Sequence, residues 1–491
     1  MRKAIENLIH YEITQKVILD RDVNYIRNQL YHLLKLEMTS ELPKPSSIEH
    51  PSDALEMILD ELEEANILDG SKVSRDLMDA KIMNVFAKLP SDVERTFFRH
   101  YQKNPTAATD WYYNYMQALN YIRMDRILKN QSFTSKTDYG TLDITINMSK
   151  PEKDPKSIIL ASQTTSTAYP KCLLCAENEG FSGNFTRDSR DQHRMIKFNL
   201  GKDTYFFQYS PYIYYNEHAI VLSEIHRPMV INKQTFENLL TLCDMFEGYF
   251  FGSNADLPIV GGSILSHDHY QGGKHEFPIE RAEILKTWEK GQITYQLLKW
   301  PLSTIRLISQ SKDKLIHQAT HILNQWKNYE HKELFLFPKT GDTPHQTITP
   351  VSRKKNGYYE LDLILRNNYT NEAYPLGLYH PHEDKWNIKK ENIGLIEAMG
   401  LAILPARLKK ELEEVKNYLL NDTPLSASSV IHQNWANAIK MKTTVTKENV
   451  DDIIKHEIGI VFEHVLEDCG VFKQDEKGLT AFQSFIEGLL L

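Results

Sequence analysis

The chain has 491 residues, 41% hydrophobic and 25% charged, with a formal net charge of −8. The length implies two to four packing units, and the composition is that of an ordinary globular protein with a sizeable core. The acidic balance excludes a general binder of nucleic acid or membrane surface, because phosphate tracking needs a basic face; any anionic ligand must meet local positive charge.

The first residues, MRKAIENLIHYEITQ, interrupt their apolar positions with Glu6, Asn7 and His10 and lack the apolar core of a signal peptide. No stretch is long enough to span a bilayer. Residues 1–135 read as mostly helical. AIENLIHYEITQKVI puts Ile5, Leu8, Ile9, Ile13 and Val17 near one face, and DALEMILDELEEANIL repeats the spacing with Leu55, Ile58, Leu59 and Leu62. A Pro/Ser loop, 41–52, lies between them. DWYYNYMQALNYIRM (110–124) reads as a helix packed through its aromatic residues.

From about residue 140 the period changes. TLDITINMS (141–149) alternates with period two, and 203–222 supplies one or two further strands. TFENLLTLCDMFEGYFF (235–251) returns to helical spacing. HQTITPV and GYYELDLILRNN, within 345–368, form a second strand-rich block. From about 388 the chain reads as helical again, with Pro405 expected to kink or divide one helix and Thr446 to cap another. The order implies an α+β chain with two sheet units. HDH at 267–269 and HPH at 380–382 occur once in each strand-rich half.

GGSILSHDHYQGG (261–273) carries the chemistry. If the segment is extended, Ser263, Leu265, His267, His269 and Gln271 share one face. The two imidazoles then stand roughly 6–7 Å apart at Cα, which suits one ring holding something while its neighbour reacts. The glycine pairs, Gly261–Gly262 and Gly272–Gly273, let backbone N–H groups approach an anion, and Gln271 adds a neutral donor. A neutral imidazole can attack phosphorus and carry a nucleotidyl group as a phosphoramidate. His269, nearest Gln271 and Gly272, is the better nucleophile. Its other ring nitrogen should be tied to an acceptor, most simply a backbone carbonyl. A plain metal site is the rival reading of the pair.

The four cysteines stand at 172, 175, 243 and 469, few enough for a cytoplasmic chain without disulfides. Cys172-x-x-Cys175 has the spacing at which two thiolates chelate zinc. His226, at a strand end, and His267 would complete a closed, structural Cys2His2 set. A redox dithiol and a pair of reduced buried thiols are the alternatives.

The block DLPIVGGSILSHDHYQGG (256–273) closely resembles the signature of the type 2 galactose-1-phosphate uridylyltransferases. YPKCLLCAENEG (169–180), YNEHAIVLSEIHRPM (215–229), GYYELDLILRNN (357–368) and IGLIEAMGLAILPARL (393–408) look like further blocks of that family. The resemblance implies two histidine-triad-like antiparallel-sheet units, 139–295 and 296–491, with a helical N-terminal region, 1–138, and a helical C-terminal segment. It implies ping-pong transfer of UMP from UDP-glucose to galactose 1-phosphate. His269 would be the nucleophile, Gln271 a phosphate binder, and Cys172, Cys175, His226 and His267 zinc ligands. Asp268 replaces the proline of the type 1 motif, and either Ser263 or Ser266 would take the role of an upstream serine. A homodimer is expected by analogy. His380 and His382 are candidates for a second metal.

Other candidates are weaker. RDSRDQHR (187–194) concentrates Arg187, Arg190, His193 and Arg194, and Arg190 with Arg194 is the pair the family resemblance favours for a diphosphate. The alternative is a solvated basic loop. Asn254 is a candidate for ribose or phosphate, or else a turn asparagine. Glu397 is a candidate for hexose hydroxyls by resemblance. Two other functions fit the same motifs: a histidine-triad hydrolase or phosphorylase acting on another dinucleotide, and a zinc-stabilised sugar-nucleotide binding protein.

Overall fold

The computed structural model describes residues 1–149, 168–262 and 264–490. Contacts group these into two compact units. The first comprises 1–129, 149, 168–213 and 217–226; the second comprises 130–148, 214–216, 227–262 and 264–490.

The first unit opens with helices Arg2–Thr14, Val23–Leu33, Pro51–Glu64, Lys72–Asn84, Pro90–Tyr101 and Pro105–Ala118. Their starts follow local chemistry. Proline occupies the first turn of three of them, where its missing N–H costs nothing. The Ser71 and Asn104 side chains accept from the amides of Ser74 and Thr106. Strands Ile196–Leu200, Asp203–Tyr209 and Ala219–Ser223 form an antiparallel ladder, with Phe198 opposite Tyr205 and Phe207 opposite Val221. The aromatic helix is a core element, as its composition suggested. Tyr112 packs on Phe97, Phe207 and Tyr209, with ring centroids 6.1, 5.9 and 5.2 Å away.

In the second unit the hairpin Gln131–Thr137/Gly140–Asn147 is extended by Leu401–Pro405, which joins in parallel. A larger antiparallel ladder runs in the order 269–273, 250–252, 346–355, 358–367, 304–309, 293–298, 284–290. Helices Lys233–Met245 and Lys312–Lys327 pack against it. Helices Arg407–Asn421, Gln433–Lys442, Val450–Cys469 and Glu476–Leu490 complete the C-terminal part. The fold is α+β with helices at both ends of the chain.

Two local expectations are corrected. The segment around Pro405 is divided, not kinked, and the stretch directly before the proline is not helical at all. Gly400, at φ +100°, ends the short helix Leu395–Ala398, and 401–405 becomes a strand because Leu401, Ala402 and Leu404 are buried beside 143–147. Thr446 is not the cap of the next helix. Asn449 is, and Thr446 instead opens the preceding turn, its N–H donating to Asn449 Oδ1 at 2.7 Å.

Candidate active site

His269–Gly273 is a short strand in which Gln271, Gly272 and Gly273 pair with Gly252, Phe251 and Phe250. Alternation sends His269 and Gln271 to one side and Tyr270 to the other. Tyr270 is anchored there, its hydroxyl accepting from Asn238 Nδ2 at 2.9 Å. The Tyr215 hydroxyl donates to the Gly272 carbonyl at 3.1 Å. The preceding residues, 264–268, are not a strand. Their main chain bonds elsewhere: Asp268 N to the Arg227 carbonyl at 2.7 Å, and Met229 N to the Leu265 carbonyl at 2.9 Å. Arg227 also grips the Asp268 carboxylate through Nε and Nη2, at 3.2 and 3.1 Å. That ion pair stands where the type 1 motif has proline. Ser266 is exposed, and Ser263 lies outside the described residues.

His269 is 6% exposed, and its Nδ1 lies 2.8 Å from the main-chain carbonyl oxygen of His267. A carbonyl only accepts, so Nδ1 carries the proton and Nε2 keeps its lone pair. Burial lowers the imidazole pKa below its ordinary 6.5, outweighing the opposite pull of the His267 carbonyl and of Asp268. The ring is therefore neutral at physiological pH, as nucleophilic attack requires.

The glycines around the motif have a cause the sequence reading missed. A Cβ on Gly261 would stand 2.6 Å from the Ala255 carbonyl oxygen, one on Gly262 2.5 Å from Asn254 Nδ2, and one on Gly272 2.5 Å from the Phe251 ring. Close packing alone excludes side chains at these three positions.

In the first unit, Cys172, Cys175 and His226 converge, with ligand atoms all within 4.8 Å of one another. The two sulfurs are 3.6 Å apart and are not joined in a disulfide. Zinc–sulfur bonds of about 2.3 Å in a tetrahedron put two sulfurs roughly 3.8 Å apart, so the spacing fits a shared ion. Cys175 Sγ lies 3.1 Å from His226 Nδ1. Asn178 Nδ2 donates to the carbonyls of Cys172 and Cys175, both at 2.8 Å, which folds the loop into a knuckle. Burial pushes the Cys175 thiol up to about 11, with Cys172 beside it, the opposite of the depressed pKa of a redox pair. His267, in the second unit, is 1% exposed.

The arginines of 187–194 divide. Arg194 is spent within its own unit: Nε donates to the Lys88 carbonyl, Nη1 to those of Asp191 and His193, and Nη2 to Asn84 Oδ1. Arg190 lines a cavity together with Arg187. His193 is buried, with Nε2 2.7 Å from Gln208 Oε1.

Asn254 and Glu397 come together in the second unit. Asn254 Oδ1 accepts from Leu395 N at 2.8 Å, and both side chains border Gly394. Glu397 Oε1 is 3.0 Å from Nζ of Lys389, a lysine only 5% exposed that the sequence reading did not single out. His380 Nε2 lies 3.0 Å from Asn392 Oδ1, and His382 bonds to the Leu378 carbonyl and Asp468, so each of these histidines has protein partners of its own.

The site thus defines a protein with a buried, tautomer-locked histidine on a glycine-packed strand and a Cys/His group able to hold a metal. Residues 20–228 match the N-terminal domain, and residues 242–437 the C-terminal domain, of galactose-1-phosphate uridyl transferase. The chain belongs to that family. It is 46% identical to the galactose-1-phosphate uridylyltransferase of Fusobacterium nucleatum, over 98% of this chain and 97% of that protein. It is 47% identical to that of Clostridium acetobutylicum, over 98% of each. Among solved structures, a yeast Ap4A phosphorylase aligns over 66% of this chain and 90% of its own, at 11% identity and a TM-score of 0.34, a likeness too remote to carry function. Among the described residues no helix is long and apolar enough to cross a membrane.

Proposed function

We propose that this protein transfers a uridylyl group from UDP-glucose to galactose 1-phosphate, yielding glucose 1-phosphate and UDP-galactose. His269 Nε2 attacks the α-phosphorus of UDP-glucose. The nitrogen–phosphorus bond forms as the bond to the glucose 1-phosphate oxygen breaks, and that oxygen leaves as part of a phosphate dianion. A phosphate oxygen of galactose 1-phosphate then attacks the same phosphorus and displaces the imidazole. Nδ1–H stays on the His267 carbonyl throughout, so the ring cycles between neutral base and phosphorylated cation without a change of tautomer. Gln271, on the same side of the strand, holds a non-bridging phosphoryl oxygen as a neutral donor, with the amides at Gly272 and Gly273 beside it. Asn254 and Glu397 receive the sugar part of the substrates.

Cys172, Cys175 and His226, with His267 as fourth ligand, form the donor set for a structural zinc. When bound, the ion would supply cross-linking of these segments and no open coordination position. The chemistry of the set supports this: two thiols and two imidazoles, with Cys172, Cys175 and His226 gathered within the first unit.

The observation that carries the reading is the 2.8 Å bond from His269 Nδ1 to the His267 carbonyl. His269→Ala tests it. The variant should fold and lose transfer by about a thousandfold or more; turnover near the wild-type rate would exclude His269 as the nucleophile.

A further inference from the structure

Arg306 and Arg353, buried in the larger sheet, share the carboxylate of Asp362, which lies 2.6 Å from Nε of the first and 2.8 Å from Nη2 of the second. Arg366, on the same strand as Asp362, is different. It is 1% exposed and forms no ion pair among the described residues. Its Nη2 donates to the Ile393 carbonyl at 2.9 Å, Nη1 reaches Thr349 Oγ1 at 3.4 Å, and Nε is buried with no hydrogen-bond partner. A buried cation without a counter-ion costs stability, so its presence needs a reason.

The carbonyl it holds belongs to the stretch 392–397. Side chains from elsewhere in the second unit fasten this stretch along its length. His380 Nε2 lies 3.0 Å from Asn392 Oδ1, Arg366 takes the Ile393 carbonyl, Asn254 Oδ1 accepts from Leu395 N at 2.8 Å, and Lys389 Nζ lies 3.0 Å from Glu397 Oε1. All four fastening side chains are buried, whereas Gly394 and Glu397 are half-buried. The stretch therefore keeps accessible surface at Gly394 and Glu397, with its fastenings behind. Charge adds direction. Arg366 and Lys389 are two buried cations whose charges both act on the Glu397 carboxylate; the other carboxylate near Lys389, that of Glu391, is mostly exposed. The positive excess favours an anionic sugar ester over a free sugar.

We propose that Arg366 is a positioning residue for the hexose 1-phosphate: its guanidinium bridges Thr349 and the Ile393 carbonyl and so fixes the stretch on which Glu397 meets the sugar. Arg366 does not touch the substrate. It acts from behind, as a planar fork that reaches two acceptors at once. The inference rests on the reading of His269 as nucleophile and of Glu397 as a hexose contact.

Discharge of preformed uridylyl-protein by galactose 1-phosphate, in the full-length chain, tests it. Arg366→Met removes the fork and the charge. The half-saturating concentration of galactose 1-phosphate should rise about tenfold or more, with the maximal discharge rate within about threefold of wild type. Glu397→Gln alone should raise it as well. Adding Arg366→Met to Glu397→Gln should then change it by less than about threefold, because the two act through one stretch. Arg366→Lys keeps a cation in place and so disturbs folding least; with one ammonium for the fork, it should raise half-saturation about threefold or more. Half-saturation equal to wild type in Arg366→Met, or in Arg366→Lys if the Met protein does not fold, overturns the proposal. So does an undiminished effect of Arg366→Met on top of Glu397→Gln. A wild-type protein that takes up no uridylyl group on His269 overturns the underlying reading with it. Normal uptake, with wild type and Arg366→Met discharged alike, overturns only the role of Arg366.

Discussion

The Nδ1 atom of His269 donates to the main-chain carbonyl of His267, two residues earlier, at 2.8 Å. The bond is local, so the reactive tautomer is set by the course of the chain and not by a distant side chain. The carbonyl belongs to a residue whose own ring is a proposed zinc ligand. In the proposed assignment, the backbone of this residue orients the nucleophilic ring.

The metal set makes the first prediction. Wild-type protein should contain about one zinc per chain by elemental analysis. Cys172→Ala or His226→Ala should lower that content and lower the thermal midpoint by several degrees, on the scale of about 4 °C or less per kcal/mol for a chain of this size. Exhaustive chelation of the wild type should reproduce the shift. A wild-type protein free of zinc, with a midpoint indifferent to chelator, would remove the structural site.

Glu12 makes the second. It is fully buried in the first helix, and neither carboxylate oxygen has a hydrogen-bond partner. Burial raises its pKa well above 4.5. The folded chain therefore keeps a proton that the unfolded chain releases above pH 4.5. Folding stability should fall as pH rises from there toward the folded-state pKa, by at most about 1.4 kcal/mol per pH unit. Glu12→Leu removes this dependence. Its stability relative to wild type, from urea unfolding, should grow between about pH 5 and about pH 7; a gap that stays constant or shrinks contradicts the assignment.

Lys389 and Glu397 make the third. The pair is largely buried, with a 3.0 Å contact. Lys389→Met strands the Glu397 carboxylate, and breaking a buried pair from one side costs about 3 kcal/mol or more. Adding Glu397→Gln should recover much of that loss, since the stranded charge disappears. If Glu397 also faces the hexose, Lys389→Met raises KM for galactose 1-phosphate more than it lowers kcat. Equal stability of Lys389→Met and wild type would show that the contact carries no energy.

The chemistry of the site was legible because it rests on residue types at short spacing. Two histidines one residue apart, an adjacent glutamine and a Cys-x-x-Cys pair are local patterns, and their chemical demands can be written down before any fold is known. What was hidden depends on contacts far apart in sequence. Leu401–Pro405 reads as part of a helix until residues 143–147 offer it an edge. The tight packing around the motif glycines is not legible until Phe251, Asn254 and the Ala255 carbonyl are seen filling the space of a side chain. Lys389 looks like one more surface lysine in WNIKKEN, and only the burial of Glu397 beside it shows otherwise. Arg190 and Arg194 are four residues apart and chemically identical; the loop they sit on sends one to backbone carbonyls and the other to a cavity.

The most direct measurement is to mix the full-length protein with UDP-glucose carrying a labelled α-phosphate, leave out the acceptor, and map the label by peptide mass analysis at alkaline pH. The account predicts one uridylyl group on His269, released by galactose 1-phosphate as UDP-galactose and only slowly by water. A labelled peptide lying elsewhere, or rapid transfer with no labelled histidine at any time, would contradict it.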